Sequence, residues 1–365
     1  MEQQWANRAA SAEAAVTKRH VRKLWRLPAT QLGVVAWPST RRDRAFASWH
    51  YWWQAHLLDC LIDAQLRAPT PERRKQITRQ LRSHRVRNLG RWTNSYYDDM
   101  AWLALAIDRA DQLLGIERDG ALTALTTQFL QAWMPEFGGG IPWRKRDHFF
   151  NAPANGPAGI VLARIDELRR AQMMADWIDE VLIDPETQLV FDGIKDGSLV
   201  RAQYTYCQGV VLGLETELAR RTTADRHAPR VHRLVAAVAE HMAPGGVLKG
   251  SGGGDGGLFG GITARYLALV ATVLPGITPA DEAARDTARR LVLTSAQSAW
   301  DYRQTVDGLP LFGPDWDRAA QVPTSEGQGA KFVEGAVSAS SVPERDLSVQ
   351  LSGWMLMEAA HSVTV

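Results

Sequence analysis

YYDDMAWLALAIDRADQLLGI, residues 96–116, is the stretch from which the fold is read. Met100, Leu103, Ile107 and Leu114 fall at intervals of three, four and seven residues, which places them on one stripe of an α-helix. Ser95 followed by Asp98 is close to a capping box at its start, and Gly115 is a fitting stop. The same period governs the flanks. Helices are expected over Glu2–Leu27, Ala45–Leu66, Glu72–Arg87, Ala121–Trp133, Asn155–Val181, Tyr206–Arg221, His227–His241, Gly261–Val273, Pro279–Trp300 and Leu347–His361. No βαβ alternation separates them.

About eleven helices, with neither a polar linker nor a shift in composition between them, predict one all-α domain over residues 1–365. Residues 1–44 are then an N-terminal helical extension or the first helix of the domain. A spacing of roughly thirty residues per helix suits helix hairpins arranged in a ring, although no repeat at that period is visible. Between the helices lie loops rich in glycine and aromatics: EFGGGIPWRKRDHFFN, FDGIKDGS and PGGVLKGSGGGDGGLFGG. Loops carried on a rigid scaffold are where function concentrates.

Composition removes several classes of function. Forty-two Lys and Arg against 40 Asp and Glu leave a net charge of +2, too little to hold a polyanion, so no nucleic-acid partner is expected. Cys60 and Cys207 both sit in apolar helical patterns, where a thiol behaves as a small hydrophobe. The N-terminal MEQQWANRAASAEAAVTKRH lacks the apolar core of a secretion signal, and no continuous apolar run is long enough to span a membrane, so a cytoplasmic chain is expected. Fourteen tryptophans supply flat faces that suit the C–H surfaces of sugar rings, or simply fill the core.

Most motifs dissolve when their chemistry is required of them. Gly252, Gly254 and Gly257 have dinucleotide-fingerprint spacing but no preceding buried strand. Lys249 precedes Gly250 and Ser251, so the loop is no phosphate-binding P-loop. His227 and His232 lie five residues apart, on different faces of a helix, and no metal or cofactor is called for. Ser251 lacks the nucleophile-elbow pattern. What remains is Asp98 and Asp99 behind two tyrosines. Acids in a first helical turn can serve the helix dipole alone. Glycoside cleavage also needs two carboxyl groups, one ionised and one protonated. At ~5 Å and an effective dielectric near 20, their repulsion is ~3 kcal/mol, roughly two pKa units of splitting. Neighbouring residues on a regular helix point ~100° apart, so the pair can flank one sugar only where the helix begins or is distorted.

Tyr96 through Ala106, YYDDMAWLALA, resembles the hallmark segment of glycoside hydrolase family 76. Further segments agree in order: Gly139-Gly140-Ile141 with Trp143, Asn151-Ala152, Asn155-Gly156, Tyr204-Thr205-Tyr206 with Gln208-Gly209, and Asp255 before Gly260, Ile262, Arg265 and Tyr266. The likeness runs from about Ala45 to the C-terminus. It implies an all-α (α/α)6 barrel, an α-1,6-mannanase activity with retention of configuration, Asp98 as nucleophile and Asp99 as acid/base. Tyr97, Trp143, Asn151, Asn155, Tyr206, Gln208, Asp255 and Arg265 are implied to line a cleft for an α-mannan oligo- or polysaccharide. Cys207, where the family commonly has asparagine, and Phe150, where a basic residue is common, depart from the pattern and bear on the sugar subsites. A transglycosylase on the same substrates and a non-catalytic mannan-binding protein remain the alternatives.

Overall fold

The computed structural model describes residues 1–117, 120–135, 139–324 and 328–365. The start of the glycine-rich loop EFGGGIPWRKRDHFFN, at 136–138, lies outside the described residues. In chain order the elements are α1 (Glu2–His20), β1 (Val21–Arg22), β2 (Leu32–Gly33), α2 (Arg41–Arg44), α3 (Tyr51–Arg67), α4 (Pro71–Arg87), α5 (Tyr97–Leu114) and α6 (Ala121–Gln131). There follow β3 (Phe149–Asn151), α7 (Ala152–Arg164), α8 (Leu168–Val181), β4 (Gly193–Lys195), β5 (Ser198–Val200), α9 (Thr205–Arg221), α10 (His227–Ala237), α11 (Phe259–Val273) and α12 (Pro279–Tyr302). The hairpins β6 (Gln304–Val306) with β7 (Leu309–Leu311) and β8 (Lys331–Val333) with β9 (Ala336–Ser338) precede α13 (Leu347–Ser362). Every strand pairing among these elements is antiparallel, in ladders of two or three strands. The all-α class read from the sequence therefore holds.

Three expected helices differ most. The first ends at His20 instead of Leu27, because Val21 leaves the helical region and pairs with Gly33 as a strand. The aromatic helix begins at Tyr51, where His50 adopts a left-handed φ of 45°, and not at Ala45. The long helix expected over Asn155–Val181 is two, α7 and α8. Asp166 at φ 65° turns the chain, with Glu167 N–H donating to Leu162 O (2.9 Å) and Asp166 N–H to Ala163 O (3.4 Å). That pair of bonds is a Schellman stop with aspartate in the left-handed position where glycine is the usual signal.

The chain divides into two compact units. The first comprises Met1–Arg91, Val247–Ile262 and Leu293–Val365. Its centre is α13, buried from Leu347 to Ala360, against which α1 and α3 pack. Arg67 on α3 bonds Glu358 of α13 (3.0 Å) and Glu13 of α1 (2.7 Å), and Arg73 of α4 also bonds Glu13 (2.7 Å). Four helices are thereby joined through one buried set of charges.

The second unit comprises Trp92–Gly246 and Thr263–Val292. Its centre is α7, buried from Ala152 to Ala163 and packed on α5, α8 and α9. Gly156 and Gly159 let α9 approach closely: a Cβ at Gly156 would stand 2.5 Å from Val210 Cγ2, and one at Gly159 2.9 Å from Leu214. Cys60 and Cys207 are buried free thiols, as their apolar surroundings predict. The segment Gly254–Val273 is long and apolar enough to cross a bilayer, but most of it is buried within the protein, as in a core helix.

Candidate active site

Asp98 and Asp99 are the second and third residues of α5. The helix thus begins where the geometry of an adjacent pair requires it to begin. Ser95 does not cap it: the N-cap is Tyr96, with no side-chain cap bond. Just ahead of it, Asn94 accepts from Tyr96 N–H at Oδ1 (2.9 Å), while its Nδ2 donates to Asp99 Oδ2 (2.6 Å). Asp98 accepts from Asp99 N–H at Oδ1 (2.8 Å) and from the indole N–H of Trp143 at Oδ2 (2.8 Å). Both carboxylates are half-buried. Asp98 therefore meets two N–H donors at the N-terminal end of a helix. Asp99 accepts from the neutral Asn94 amide.

Backbone pairing delivers Trp143 to that place. Tyr97 N–H donates to Trp143 O (2.8 Å), Lys145 N–H donates to Ser95 O (2.9 Å), and Tyr96 bridges Arg144. On its other side Trp143 N–H donates to Phe149 O (2.6 Å), which joins the loop to β3 and, through Asn151 opposite Gly193, to β4. The indole stands edge-on to Tyr96 at 5.2 Å and to Phe149 at 6.0 Å. Gly140, at φ 87°, lets the loop pass over Trp177, which a Cβ there would meet at 3.1 Å.

Of the residues expected to line a cleft, Tyr97, Trp143, Asn151, Asn155, Tyr206, Gln208 and Arg265 lie in this second unit. Tyr97 is half-buried, and burial raises its hydroxyl pKa. Tyr206, also half-buried, is in the first turn of α9 with its ring 6.1 Å from Tyr204. Arg265 is half-buried on α11.

Three amides are held by backbone groups. Asn151 caps α7 by accepting from Ala154 N–H (3.1 Å). Asn155 is fully buried, accepting from Ile141 N–H (2.8 Å) and donating to Ile141 O and Asn151 O (2.9 Å each). Gln208, equally buried, accepts from Val190 N–H (2.7 Å) and donates to Val190 O (2.9 Å) and Tyr204 O (3.0 Å). Asn155 and Gln208 hold loops in place and present no surface to a sugar.

Asp255 belongs to the first unit. It accepts from the indoles of Trp52 (3.0 Å) and Trp53 (2.9 Å) and from Val337 N–H (2.6 Å), tying α3 and β9 to the glycine loop. Burial pushes its pKa up to about 6.

Asp192 escaped the sequence reading, although its loop, FDGIKDGS, stood out. It lies between the start of α7, where Ala152 N–H donates to Asp192 O (2.9 Å), and the first turn of α9, where the Cys207 thiol stands 3.7 Å from Asp192 Oδ1. Burial pushes the Asp192 carboxyl up to about 6, the thiol contact opposing it. Burial, and then the charge of Asp192, raises the Cys207 thiol, which stays protonated as a donor. The signal available in the sequence was two Asp-Gly pairs, Asp192-Gly193 and Asp196-Gly197, in a loop between two helices.

A family model described as glycosyl hydrolase family 76 matches residues 8–350. The structure of the GH76A α-1,6-mannanase from Salegentibacter sp. HEL1_6 is 28% identical, with a TM-score of 0.80 over 98% of this chain and 99% of that one. An inactive variant of the same enzyme, with two consecutive aspartates changed to asparagine and bound to α-1,6-mannotriose, is 27% identical over the same shares, again at a TM-score of 0.80. The Lin0763 protein from Listeria innocua is 26% identical, with a TM-score of 0.79 over 98% of this chain and 96% of that one. No curated protein matches the chain. The family's fold is the (α/α)6 barrel expected from the sequence. With the family model spanning nearly the full sequence, and solved structures agreeing over its length, the chain belongs to glycosyl hydrolase family 76.

Proposed function

We propose that the chain is a retaining glycoside hydrolase that cleaves α-1,6-mannosidic linkages in mannan or in the mannose backbones of lipoglycans. The carrying observation is the pair of adjacent carboxylates at the start of α5, Asp98 accepting from the Trp143 indole and Asp99 from the Asn94 amide. Asp98 attacks the anomeric carbon while Asp99 gives its proton to the departing O6 of the next mannose. A glycosyl ester on Asp98 results. Asp99, now a carboxylate, takes a proton from water, whose oxygen attacks the anomeric carbon and releases Asp98. Support comes from retention as a general property of the family and from the mannanase whose paired aspartates were replaced in the variant described as inactive.

Trp143, Tyr97 and Tyr206 are the side chains we assign to sugar contact, and Asn151, Asn155 and Gln208 are assigned to holding the loops that carry them. Arg265 is assigned to the same glycan. The test is mass-spectrometric product analysis of linear α-1,6-mannooligosaccharides with wild type, Asp98→Asn and Asp99→Asn. Shorter products from wild type, with each variant at least ~10²-fold slower, support the assignment. Intact substrate in all three overturns it.

A further inference from the structure

The acid/base of the proposed reaction must hold a proton, give it up and take another while its carboxyl keeps one direction. In the second unit, Asp98 is steadied by the Trp143 indole, and the Asn94 amide reaches Asp99 from five residues earlier, outside α5. The chain beside Asn94 is fixed. Lys145 N–H donates to Ser95 O (2.9 Å), Tyr97 N–H donates to Trp143 O (2.8 Å), and Tyr96 bridges Arg144 between them. Asn94 itself is half-buried, whereas Ser95 is exposed.

The orientation of the Asn94 amide follows from its partners. Its oxygen and nitrogen are alike in shape, but Tyr96 N–H can only donate, so the atom it meets at 2.9 Å is Oδ1. An asparagine that bonds the N–H two residues on makes an Asx-turn, a closed ring that holds the side chain in place. Nδ2 is thereby turned to Asp99 Oδ2 at 2.6 Å, and it has hydrogens to give and no lone pair to accept with. A carboxyl oxygen can accept whether Asp99 is protonated or ionised, so the contact lasts through both halves of the reaction. Ordering the approach to α5 asks only for the turn on Tyr96 N–H, which a serine hydroxyl also makes. The bond to Asp99 is additional to it.

We propose that Asn94 is a positioning residue for the acid/base, its Nδ2 fixing the rotation of the Asp99 carboxyl so that proton transfer to the departing sugar oxygen is aligned. The assignment rests on the reading of Asp99 as the acid/base. Because Asn94 acts through Asp99, its contribution is felt where the leaving group needs a proton. O6 of a mannose needs one as it departs. A dinitrophenolate does not, because its charge is spread over the ring and the nitro groups.

The test compares kcat/KM of the full chain on linear α-1,6-mannotetraose and on the 2,4-dinitrophenyl glycoside of α-1,6-mannobiose. Asn94→Ser keeps an acceptor for Tyr96 N–H and is too short to reach Asp99. It should lose at least ~10-fold on mannotetraose and less than ~2-fold on the dinitrophenyl glycoside, and the retained cleavage shows that the variant is folded. Asp99→Asn should show the same dependence on leaving group, and adding Asn94→Ser to Asp99→Asn should slow mannotetraose cleavage no further. An equal loss on both substrates, no loss on mannotetraose, or an additive loss in the double variant overturns the assignment alone. Wild type that leaves mannotetraose intact overturns the mannanase reading, and the assignment with it.

Discussion

At the scale of single residues, the proposed site turns on who donates to which carboxylate. Trp143→Phe keeps the ring but removes the N–H aimed at Asp98, a hydrogen bond to a charged group and so ~1.5–3 kcal/mol. If that bond is worth as much in the transition state, kcat falls by roughly 10- to 150-fold with the unfolding midpoint unchanged, measured by steady-state kinetics beside urea denaturation. Asn94→Ala removes the amide on Asp99 and the acceptor for Tyr96 N–H, and the same pair of measurements should find both activity and stability reduced. Asp192 makes a separate prediction. Its carboxyl titrates near pH 6 because it is buried, so where its anion binds a sugar hydroxyl, kcat/KM drops as pH falls through about 6. Asp192→Asn should lower kcat/KM and abolish that limb of the profile. A profile identical to wild type would remove Asp192 from the site.

At the scale of elements, the amides expected to meet sugar bind backbone instead, and that gives a clean separation of effects. Asn155→Leu strands Ile141 N–H, Ile141 O and Asn151 O in a buried place and should cost at least ~2 kcal/mol of stability in urea unfolding. Gly156→Ala drives a Cβ to 2.5 Å from Val210 and should cost ~1–3 kcal/mol by forcing α7 and α9 apart. Most of these elements were legible from apolar periodicity: α4, α5, α9, α11, α12 and α13 begin and end within about two residues of the expected positions. The division of α7 from α8 was not, because an aspartate at φ 65° looks like any other acid until the Schellman bonds are drawn. Likewise Ser95 and Asp98 match a capping box on paper, yet Tyr96 is the N-cap with no side-chain cap bond, and Ser95 O accepts from Lys145 N–H.

At the scale of the whole molecule, buried ionisable groups set the response to pH and to mutation. Arg67→Met leaves Glu13 and Glu358 buried beside an apolar chain, and breaking such a set from one side costs ~3–5 kcal/mol. His84 is fully buried, edge-on to Tyr51 at 4.2 Å and Trp49 at 5.0 Å, with neither ring nitrogen bonded. Burial lowers its pKa to about 3. The unfolded chain therefore takes up a proton there below about pH 6.5 while the folded chain does not, and stability is lost as pH falls from there toward 3. His84→Phe should lose less stability than wild type between pH 7 and ~5, read from urea midpoints at the two values.

The sequence by itself determined the helical class, the family and the pair of aspartates, because helical period and a contiguous motif are local properties that survive without knowing any contact. Tertiary structure alone decided which polar side chains face outward. Asn155 and Gln208 carry the same motif status as Trp143, but only the fold shows that backbone groups far along the chain take their amides, while the Trp143 indole is brought to Asp98 by the pairing of residues 95–97 with 143–145. Burial, which raises Asp192 and lowers His84, is likewise a property of what packs around a residue, and no residue carries that in its own letter.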